Sequence, residues 1–426
     1  MNAPTGRASR VHVLANGITL ICDAAPGFET LAVSVVAGRG ARFEDDDRNG
    51  WSHLLEHMVF KGAGQRSATE IVEAIEREGG QINAATGYER TSFQVRTLKG
   101  GLPVGLEVVA DLLLRPRLDA DDLEREKRVI GQEIAEATDA PDDQVFELGQ
   151  AAAFAGQALG RPVLGSEASI AEASPAALEA WRAALYASDR VVVSVAGAVD
   201  EDEFLILAER LFGVAPPSVG PLAQRAVFTG GFAVERRRLQ QAHLVFALPG
   251  PGVGDEDHFA LRIFAEVLGG GMSSRLFQEA RERLGLAYAI DAFAEVYADG
   301  GMLGVYAGCA AQDAGRLAKV VAAEVLALSR RTEPDELSRA KAQLKASLFM
   351  SQESLIARAE QAAAQRLTFG RLLPPAEIAE LIDAVGPAEI AALAARVLSP
   401  GLCAVAVLGP KGAHDVPRRF QEALFA

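Results

Sequence analysis

The first clear pattern along the chain is an alternation of apolar and polar residues over Val11–Ile21, interrupted at Asn16-Gly17. A period of two residues predicts β-strands, and Asn-Gly between two such runs is the strongest short signal for a hairpin. A third strand-like run covers Leu31–Ala37, and a loop rich in Gly and Asp occupies residues 38–50. The chain is therefore predicted to begin with a hairpin and a third strand.

The next segment changes to the three- and four-residue spacing of amphipathic helices. This spacing predicts helices at about 50–61, 67–78, 102–114, 120–138 and 142–155, with strand-like runs near 81–86 and 91–98. A further strand at Val191–Val195 and a short helix complete this part of the chain. Because helices and strands are mixed without a strict βαβ alternation, the pattern favours an α+β fold.

The middle of the chain, Gly213–Pro221, is rich in Pro, Gly and small residues, which is typical of a linker. Beyond it the pattern restarts with a strand at His243–Leu248, a loop, a helix from about Asp255, a Gly-rich turn, a second helix and two strands. An offset of about 205 residues aligns this series with the first half, which indicates an internal repeat. We therefore predict two homologous α+β halves, residues 1–215 and 231–426, joined by a linker at 216–230. Each half is predicted to have a mixed or antiparallel sheet covered by helices.

Composition and charge narrow the classes of function. The 49% hydrophobic and 23% charged residues are typical of a globular protein, and no run reaches the roughly 18 apolar residues of a membrane-spanning helix. The net charge of -15, without a dense run of Lys or Arg, argues against nucleic acid as a partner. Residues 1–10 lack the apolar stretch of a secretory signal, and Cys22, Cys309 and Cys403 lie far apart in apolar runs. We therefore expect a cytoplasmic protein with reduced cysteines and no membrane partner.

The run His53-Leu54-Leu55-Glu56-His57 lies in the first predicted helix and combines residues suited to metal chemistry. Histidines four positions apart emerge on one face of a helix, where both imidazoles can bind one ion. Glu56 falls on the same side and is better placed to hold a water molecule on that ion than to be a third ligand. The order H-x-x-E-H is that of the inverzincins. Imidazole and carboxylate donors favour zinc, and a catalytic zinc site keeps a fourth position for water.

A third ligand is expected to be a carboxylate on another element, and the predicted helix at 120–138 offers several. Glu126 and Glu133 are seven positions apart and share one face of this helix, and Glu136 lies close to that face. Spacing alone leaves open which of them binds the metal. A plainer interpretation also stays open, in which the histidines lie on an amphipathic helix by chance and the charged helix is only solvated.

Four separated motifs occur in a characteristic order. They are His53–Gly62, Gly79–Thr86, Arg128–Ile134 and, in the second half, Leu268–Tyr288. In order and spacing they resemble the pitrilysin/insulinase family of zinc metallopeptidases, and most closely its branch of the mitochondrial processing peptidase and bacterial relatives. The resemblance extends over nearly the whole chain, and it implies a zinc ion and hydrolysis of peptide bonds.

The resemblance also implies roles for individual residues around the metal. Glu133 would complete the zinc site with His53 and His57, with one ion per active chain. Glu126 would support the site from behind the ligands and tune the bound water. Glu56 would be the general base that takes a proton from the zinc-activated water and passes it to the leaving amine.

Other residues are implied to bind the substrate. Phe60 would help to line the pocket for the residue after the cut bond, and Asn83 and Ala84 would lie on an edge strand that pairs with an extended peptide. Arg281 and Tyr288 would donate hydrogen bonds to the peptide carbonyl and to the oxyanion that forms from it. From the residues alone, Phe60 is equally a core residue and Asn83 a strand-end turn residue. Likewise, Arg281 is a surface helix residue and Tyr288 a strand residue.

The function predicted from the sequence is a zinc-dependent endopeptidase that hydrolyses peptides or extended, unfolded segments of polypeptide. Because the branch resembles proteins that work in pairs, we expect a homodimer, or a heterodimer with a homologous subunit, that closes over the peptide like a clamshell. Two alternatives stay open: a catalytically silent scaffold or helper subunit of a heterodimeric peptidase, and a zinc or manganese hydrolase with another substrate. The last has no phosphate-binding or sugar-binding signal in its favour.

Overall fold

The structure is a computed structural model that describes residues 9–425. The chain forms two compact units, each built from three separate segments. Of the described residues, the first unit contains those up to Ile134, Pro162–Gln224 and Met350–Leu372. The second unit contains Ala135–Arg161, Arg225–Phe349 and the chain from Leu373 onward. Both units mix helices with strands, which confirms the predicted α+β class.

The first unit is built on a large mixed sheet. Its strands in chain order are β1 (Arg10–Val13), β2 (Thr19–Ala24), β3 (Thr30–Ala37), β4 (Gly62–Ala63), β5 (Arg66–Ser67), β6 (Gln81–Thr86), β7 (Thr91–Leu98) and β8 (Val191–Gly197). The large sheet has the order β1-β2-β8-β3-β7-β6, and β4 and β5 form a small separate pair. Strands β2 and β8 are parallel, and the other neighbours in the large sheet are antiparallel. Strand β6 therefore lies at one edge.

The second unit repeats this topology. Its strands are β9 (Gly231–Arg236), β10 (Ala242–Gly250), β11 (Ala287–Val296), β12 (Gly301–Cys309) and β13 (Ala404–Gly409), in the order β11-β12-β10-β13-β9. Strands β9 and β13 are parallel, and the other neighbours are antiparallel. The series β2-β8-β3-β7-β6 thus corresponds to β9-β13-β10-β12-β11, position by position. The shared topology confirms the predicted repeat of two α+β halves.

Helices pack on both sheets. In chain order they are α1 (Trp51–Val59), α2 (Ala68–Arg77), α3 (Leu102–Leu114), α4 (Ala120–Asp139), α5 (Pro141–Ala153), α6 (Glu167–Ala171), α7 (Pro175–Leu185), α8 (Glu201–Phe212), α9 (His258–Gly269), α10 (Ala314–Arg330), α11 (Pro334–Ser351), α12 (Leu355–Phe369), α13 (Pro375–Ala384), α14 (Pro387–Leu398) and α15 (Val416–Phe425). Short 3-10 helices lie at Ala41–Phe43, Asp46–Arg48, Ala158–Gly160, Ser188–Arg190 and Lys411–Ala413, and a π-helix at Phe277–Arg283. Within residues 9–425, none of these helices has the length and apolar character needed to cross a lipid bilayer.

The observed elements agree closely with the predicted ones in the first half. Strands β1 and β2 pair antiparallel across a turn in which Gly17 has a φ of +94°, as the Asn-Gly pair predicts. Helix α3 and strands β6 and β7 have the predicted bounds. Several elements were not predicted, among them α6, α7 and the β4–β5 pair in the first half and α10–α15 in the second. The Gly/Asp-rich loop also contains two short 3-10 helices, and the helix after the Gly-rich turn of the second half is a π-helix. Residues 216–230 form neither helix nor strand.

Each sheet is covered on one face by a helix that comes from the other half of the chain. Helix α5 packs against β9, β10 and β13, where Val145 is buried with Val245 and Ala406. Helix α12 packs against β2, β3 and β8, where Ala363 is buried with Val192. Strands β3 and β8 are accordingly almost entirely buried and read as continuous apolar runs. The compact units differ from the predicted ranges 1–215 and 231–426, because packing exchanges these two helices.

Candidate metal centre

Helix α1 carries the histidine motif on its less buried face. Leu54 and Leu55 are fully buried in the core of the first unit. His53, Glu56 and His57 are three and four positions apart, so they share the other face, where each is partly buried. The packing of the leucines therefore determines where the chemically active side chains point.

The N-terminus of α1 is held by Glu44, which sequence analysis did not single out. Its carboxylate accepts hydrogen bonds from the backbone N–H groups of Gly50 (2.8 Å) and Ser52 (2.6 Å). These are donors that a helix start otherwise leaves unpaired. Glu44 is only 4% exposed, and burial raises the pKa of its carboxyl. Gly50, the residue before α1, has a φ of +88°, and a Cβ atom there would lie 2.6 Å from Gly165 Cα. Only glycine therefore fits at this position without strain.

Helix α4 brings a carboxylate to the two histidines. Glu133 Oε2 lies 3.6 Å from His57 Nε2 and 3.8 Å from His53 Nε2. The imidazole centroids are 4.7 Å apart, and one donor atom from each of the three residues lies within 4.8 Å of the others. In a tetrahedral zinc site with bonds of about 2.1 Å, two ligand atoms are about 3.4 Å apart. The three donors are therefore close to the separation that a single zinc ion requires.

The polar atoms of this group fit a cation. Glu133 Oε2, the oxygen that faces both Nε2 atoms, is buried and has no hydrogen-bond partner in the part of the chain that the structure describes. Burial, and to a lesser extent the neighbouring His57, lowers the pKa of His53 to about 4. The imidazole is thus neutral at pH 7, as a metal ligand must be. Glu136, the other carboxylate that spacing left open, is exposed and does not belong to the group.

Glu126 lies behind His57. Its Oε2 is 3.1 Å from His57 Nδ1, and its Oε1 is 2.8 Å from Lys61 Nζ. The Glu126 side chain is only 6% exposed, and the lysine is the cation beside it. When an ionised Glu126 accepts the Nδ1–H bond, the tautomer of His57 is fixed and Nε2 keeps its lone pair. Lys61 is a second residue that sequence analysis did not single out.

Glu56 is outside the donor group but belongs to the same helix face. The hydroxyl of Thr86, the last residue of β6, donates a hydrogen bond of 2.5 Å to Glu56 Oε2. Burial raises the pKa of the Glu56 carboxyl, and the bond from Thr86 opposes that shift. A raised pKa brings a carboxyl closer to the range that suits a general base near neutral pH.

The predicted substrate-binding residues of the first half lie at the end of α1 and on β6. Phe60 follows α1 directly and packs partly buried against the core. Asn83 is exposed and Ala84 is half-buried on β6, the edge strand. The N–H of Gly87 donates a hydrogen bond to the carbonyl of Arg90, at the turn end of the β6–β7 pair. Along an antiparallel pair of strands, residues that are hydrogen-bonded to the opposite strand alternate with residues that are not. The backbone groups of Ala84 therefore face the open edge, whereas those of Asn83 face β7.

Arg281 and Tyr288 lie together in the second unit. Arg281 belongs to the π-helix, and its guanidinium carbon is 5.1 Å from the Tyr288 ring centroid and 4.6 Å from that of Phe277. Tyr288 lies on β11, the edge strand of the second sheet, and is 76% exposed. The two residues form one cation–π pair, whereas the metal donors belong to the first unit.

Comparison with known proteins decides the family. A family profile described as insulinase (peptidase family M16) matches residues 21–167, and one described as peptidase M16 inactive domain matches residues 172–344. A Rickettsia felis protein named "Uncharacterized zinc protease" is 32% identical over 401 residues, which covers 94% of this chain and 97% of the relative. The Bacillus subtilis protein "Uncharacterized zinc protease YmxG" is 34% identical over 400 residues, which covers 93% and 97%. The chain belongs to the insulinase family, peptidase family M16.

Solved structures agree with this family at the level of the fold. A protease from Helicobacter pylori superposes on the chain with a TM-score of 0.85 at 20% identity, covering 95% of this chain and 100% of that one. A Pseudomonas fluorescens structure described as a peptidase M16 inactive domain gives 0.87 at 18% identity, covering 95% and 99%. At these identities the likeness shows the fold alone. Together with the sequence matches, it confirms the family that the four motifs predicted.

Proposed function

We propose that this insulinase-family chain is a zinc-dependent endopeptidase that hydrolyses peptides or extended segments of polypeptide. The observation that carries the proposal is the convergence of His53, His57 and Glu133 from two helices, on the face that also presents Glu56. The relatives that are named zinc proteases support it. Zinc, when bound by the three donors, supplies a Lewis acid for the peptide carbonyl and lowers the pKa of a water molecule.

The remaining residues have tasks that their positions support. Glu56 takes a proton from the attacking water and delivers it to the leaving amine. Glu126 accepts the Nδ1–H bond of His57 and so keeps Nε2 as the donor atom. Ala84 presents its backbone groups at the open edge of β6, where an extended peptide can pair as an added strand. Strand pairing gives affinity with little sequence preference, which suits a substrate class defined by its extended conformation.

Four further roles rest on the resemblance. Phe60 is proposed to line the pocket for the residue after the cut bond, and Asn83 to line the peptide path beside Ala84. Arg281 and Tyr288 are proposed to donate hydrogen bonds to the peptide carbonyl and its oxyanion. Their pairing on an exposed part of the second unit is compatible with that task.

The silent scaffold or helper subunit is the alternative that shares this fold. The description "inactive domain" belongs to the profile that matches residues 172–344. That range excludes His53, His57 and Glu133, all of which lie in the segment matched by the insulinase profile. The grouping of these three donors beside a carboxylate that can act as a base supports an active enzyme over a silent scaffold.

The proposal is tested by incubating the purified protein with a mixed peptide library and identifying the products by mass spectrometry. We expect cleavage at internal peptide bonds, loss of cleavage when a chelator removes the metal, and recovery when zinc is restored. Protein that contains stoichiometric zinc and cleaves nothing would favour the silent alternative. Cleavage that persists after complete metal removal would contradict the zinc mechanism. We also propose that the chain forms a homodimer, which light scattering on the same sample tests and a monomeric mass would contradict.

A further inference from the structure

We propose that Thr86 is a positioning residue for Glu56, and that it links the peptide-binding edge of the first sheet to the general base. The inference rests on the proposed peptidase function and adds to it a residue and a coupling. Thr86 is the last residue of β6, the strand that also carries Ala84, and it contacts the one carboxylate on the motif face that is outside the donor group.

The contact between Thr86 and α1 is specific. Thr86 Oγ1 lies 2.5 Å from Glu56 Oε2 and 3.5 Å from the carbonyl oxygen of Ser52, one turn earlier on the helix. The bond from the Thr86 hydroxyl restricts rotation of the carboxylate. Because the hydroxyl bonds to Oε2, Glu56 keeps Oε1 as the oxygen that can take a proton from water.

The position of Thr86 on β6 connects the proposed peptide-binding edge with Glu56. Gly87 forms a bonded pair with Arg90, so Thr86 and Ala84 both belong to unbonded pairs, whose backbone groups face away from β7. A peptide that pairs with the edge at Ala84 adds hydrogen bonds to the same strand. Substrate binding then holds more firmly the donor that orients Glu56. Orientation of this kind matters because a displacement of about 1 Å in a reacting group can lower a rate roughly a hundredfold.

A purely structural role for Thr86 predicts something different. If the hydroxyl only secured β6 against α1, its loss would disturb the whole motif face, including His53 and His57. Zinc content and KM would then change together with kcat. A positioning role confines the effect to kcat.

The test compares Thr86→Val, Thr86→Ser and a control, Thr97→Val, in the full zinc-loaded chain. Valine keeps the shape of threonine and loses the hydroxyl, whereas serine keeps the hydroxyl. Thr97 is buried on β7, and its hydroxyl has no hydrogen-bond partner among residues 9–425. Thr97→Val therefore makes the same chemical change as Thr86→Val but breaks no hydrogen bond. For each variant, kcat and KM on a cleaved peptide and zinc per chain are measured.

We expect kcat of Thr86→Val to fall about tenfold to a hundredfold, the worth of one hydrogen bond to a charged group, with KM and zinc content unchanged. Thr86→Ser and Thr97→Val should stay near the wild-type kcat. A wild-type kcat in Thr86→Val would overturn the inference, and so would a loss that follows a loss of zinc or that serine does not rescue. Wild-type protein that holds zinc and cleaves no peptide would overturn the proposed function and this inference with it. If the wild type cleaves the peptide and Thr86→Val cleaves it at the same rate, the inference is overturned and the proposed function stands.

Discussion

Replacing Glu126 with Gln tests how the metal centre is held from behind. Glu126 has two close partners, His57 Nδ1 at 3.1 Å and Lys61 Nζ at 2.8 Å. The Glu126 side chain is 6% exposed, whereas that of Lys61 is 35% exposed. When the negative charge is removed, water can still solvate the lysine, so the main loss is at His57.

The size of that loss follows from the hydrogen bond. A bond to a charged group contributes about 1.5–3 kcal/mol and a neutral bond about 0.5–1.5 kcal/mol. Glutamine keeps an acceptor oxygen but not the charge, so the difference is roughly 1–1.5 kcal/mol. At about 1.4 kcal/mol for each factor of ten, the affinity for zinc should fall about tenfold. This value is at the lower end of the tenfold to hundredfold effects typical for partners of metal ligands, roughly as expected for a conservative change.

The assay is a competition titration of zinc against a chelator of known affinity. Glu124→Gln is the matched control, because Glu124 is on the same helix but its side chain is 65% exposed and pairs with Lys127 and not with a metal-binding residue among residues 9–425. We expect weaker zinc binding in Glu126→Gln and wild-type binding in Glu124→Gln. Equal affinities in the two variants would refute the argument that Glu126 orients His57.

Two further substitutions probe the ligand set and the helix that carries it. Elemental analysis of Glu133→Ala should show less than one zinc per chain, whereas Glu136→Ala should retain its zinc because Glu136 is exposed on the same helix. Full zinc in Glu133→Ala would mean that another residue is the third ligand. Glu44→Ala leaves two backbone N–H groups at the start of α1 without their acceptor, at a cost of about 1–3 kcal/mol each. Hydrogen exchange of α1 should therefore accelerate in Glu44→Ala but not in the exposed control Asp47→Ala, and unchanged exchange in both would contradict the capping role.

Much of the site could be predicted because it depends on local geometry. The spacing of His53 and His57 on one helix is enough to place two imidazoles side by side. The choice between Glu133 and Glu136 could not be made by spacing, because it depends on how α4 is rotated relative to α1. The structure directs Glu133 toward the histidines and leaves Glu136 exposed.

Other features depend on contacts between residues far apart along the chain. Glu44 lies in a Gly/Asp-rich loop, where an acidic residue is ordinarily solvated, and nothing local shows that it folds back onto α1. The exchange of α5 and α12 could not be predicted either, because an amphipathic pattern shows that a helix has an apolar face but not which sheet that face covers. Thr86 has the pattern of an ordinary strand residue, and only the approach of β6 to α1 brings it to Glu56.

Replacing Glu56 with Gln shows directly whether Glu56 is the base of a zinc peptidase. Glu56 is not one of the three donors, so the variant should keep its zinc. Zinc per chain and kcat are measured on the same preparation, with a peptide that the wild type cleaves. We expect full zinc and a kcat lowered by about a hundredfold or more, the usual contribution of general acid–base catalysis. A zinc-loaded Glu56→Gln protein that cleaves the peptide at the wild-type rate would contradict this role of Glu56.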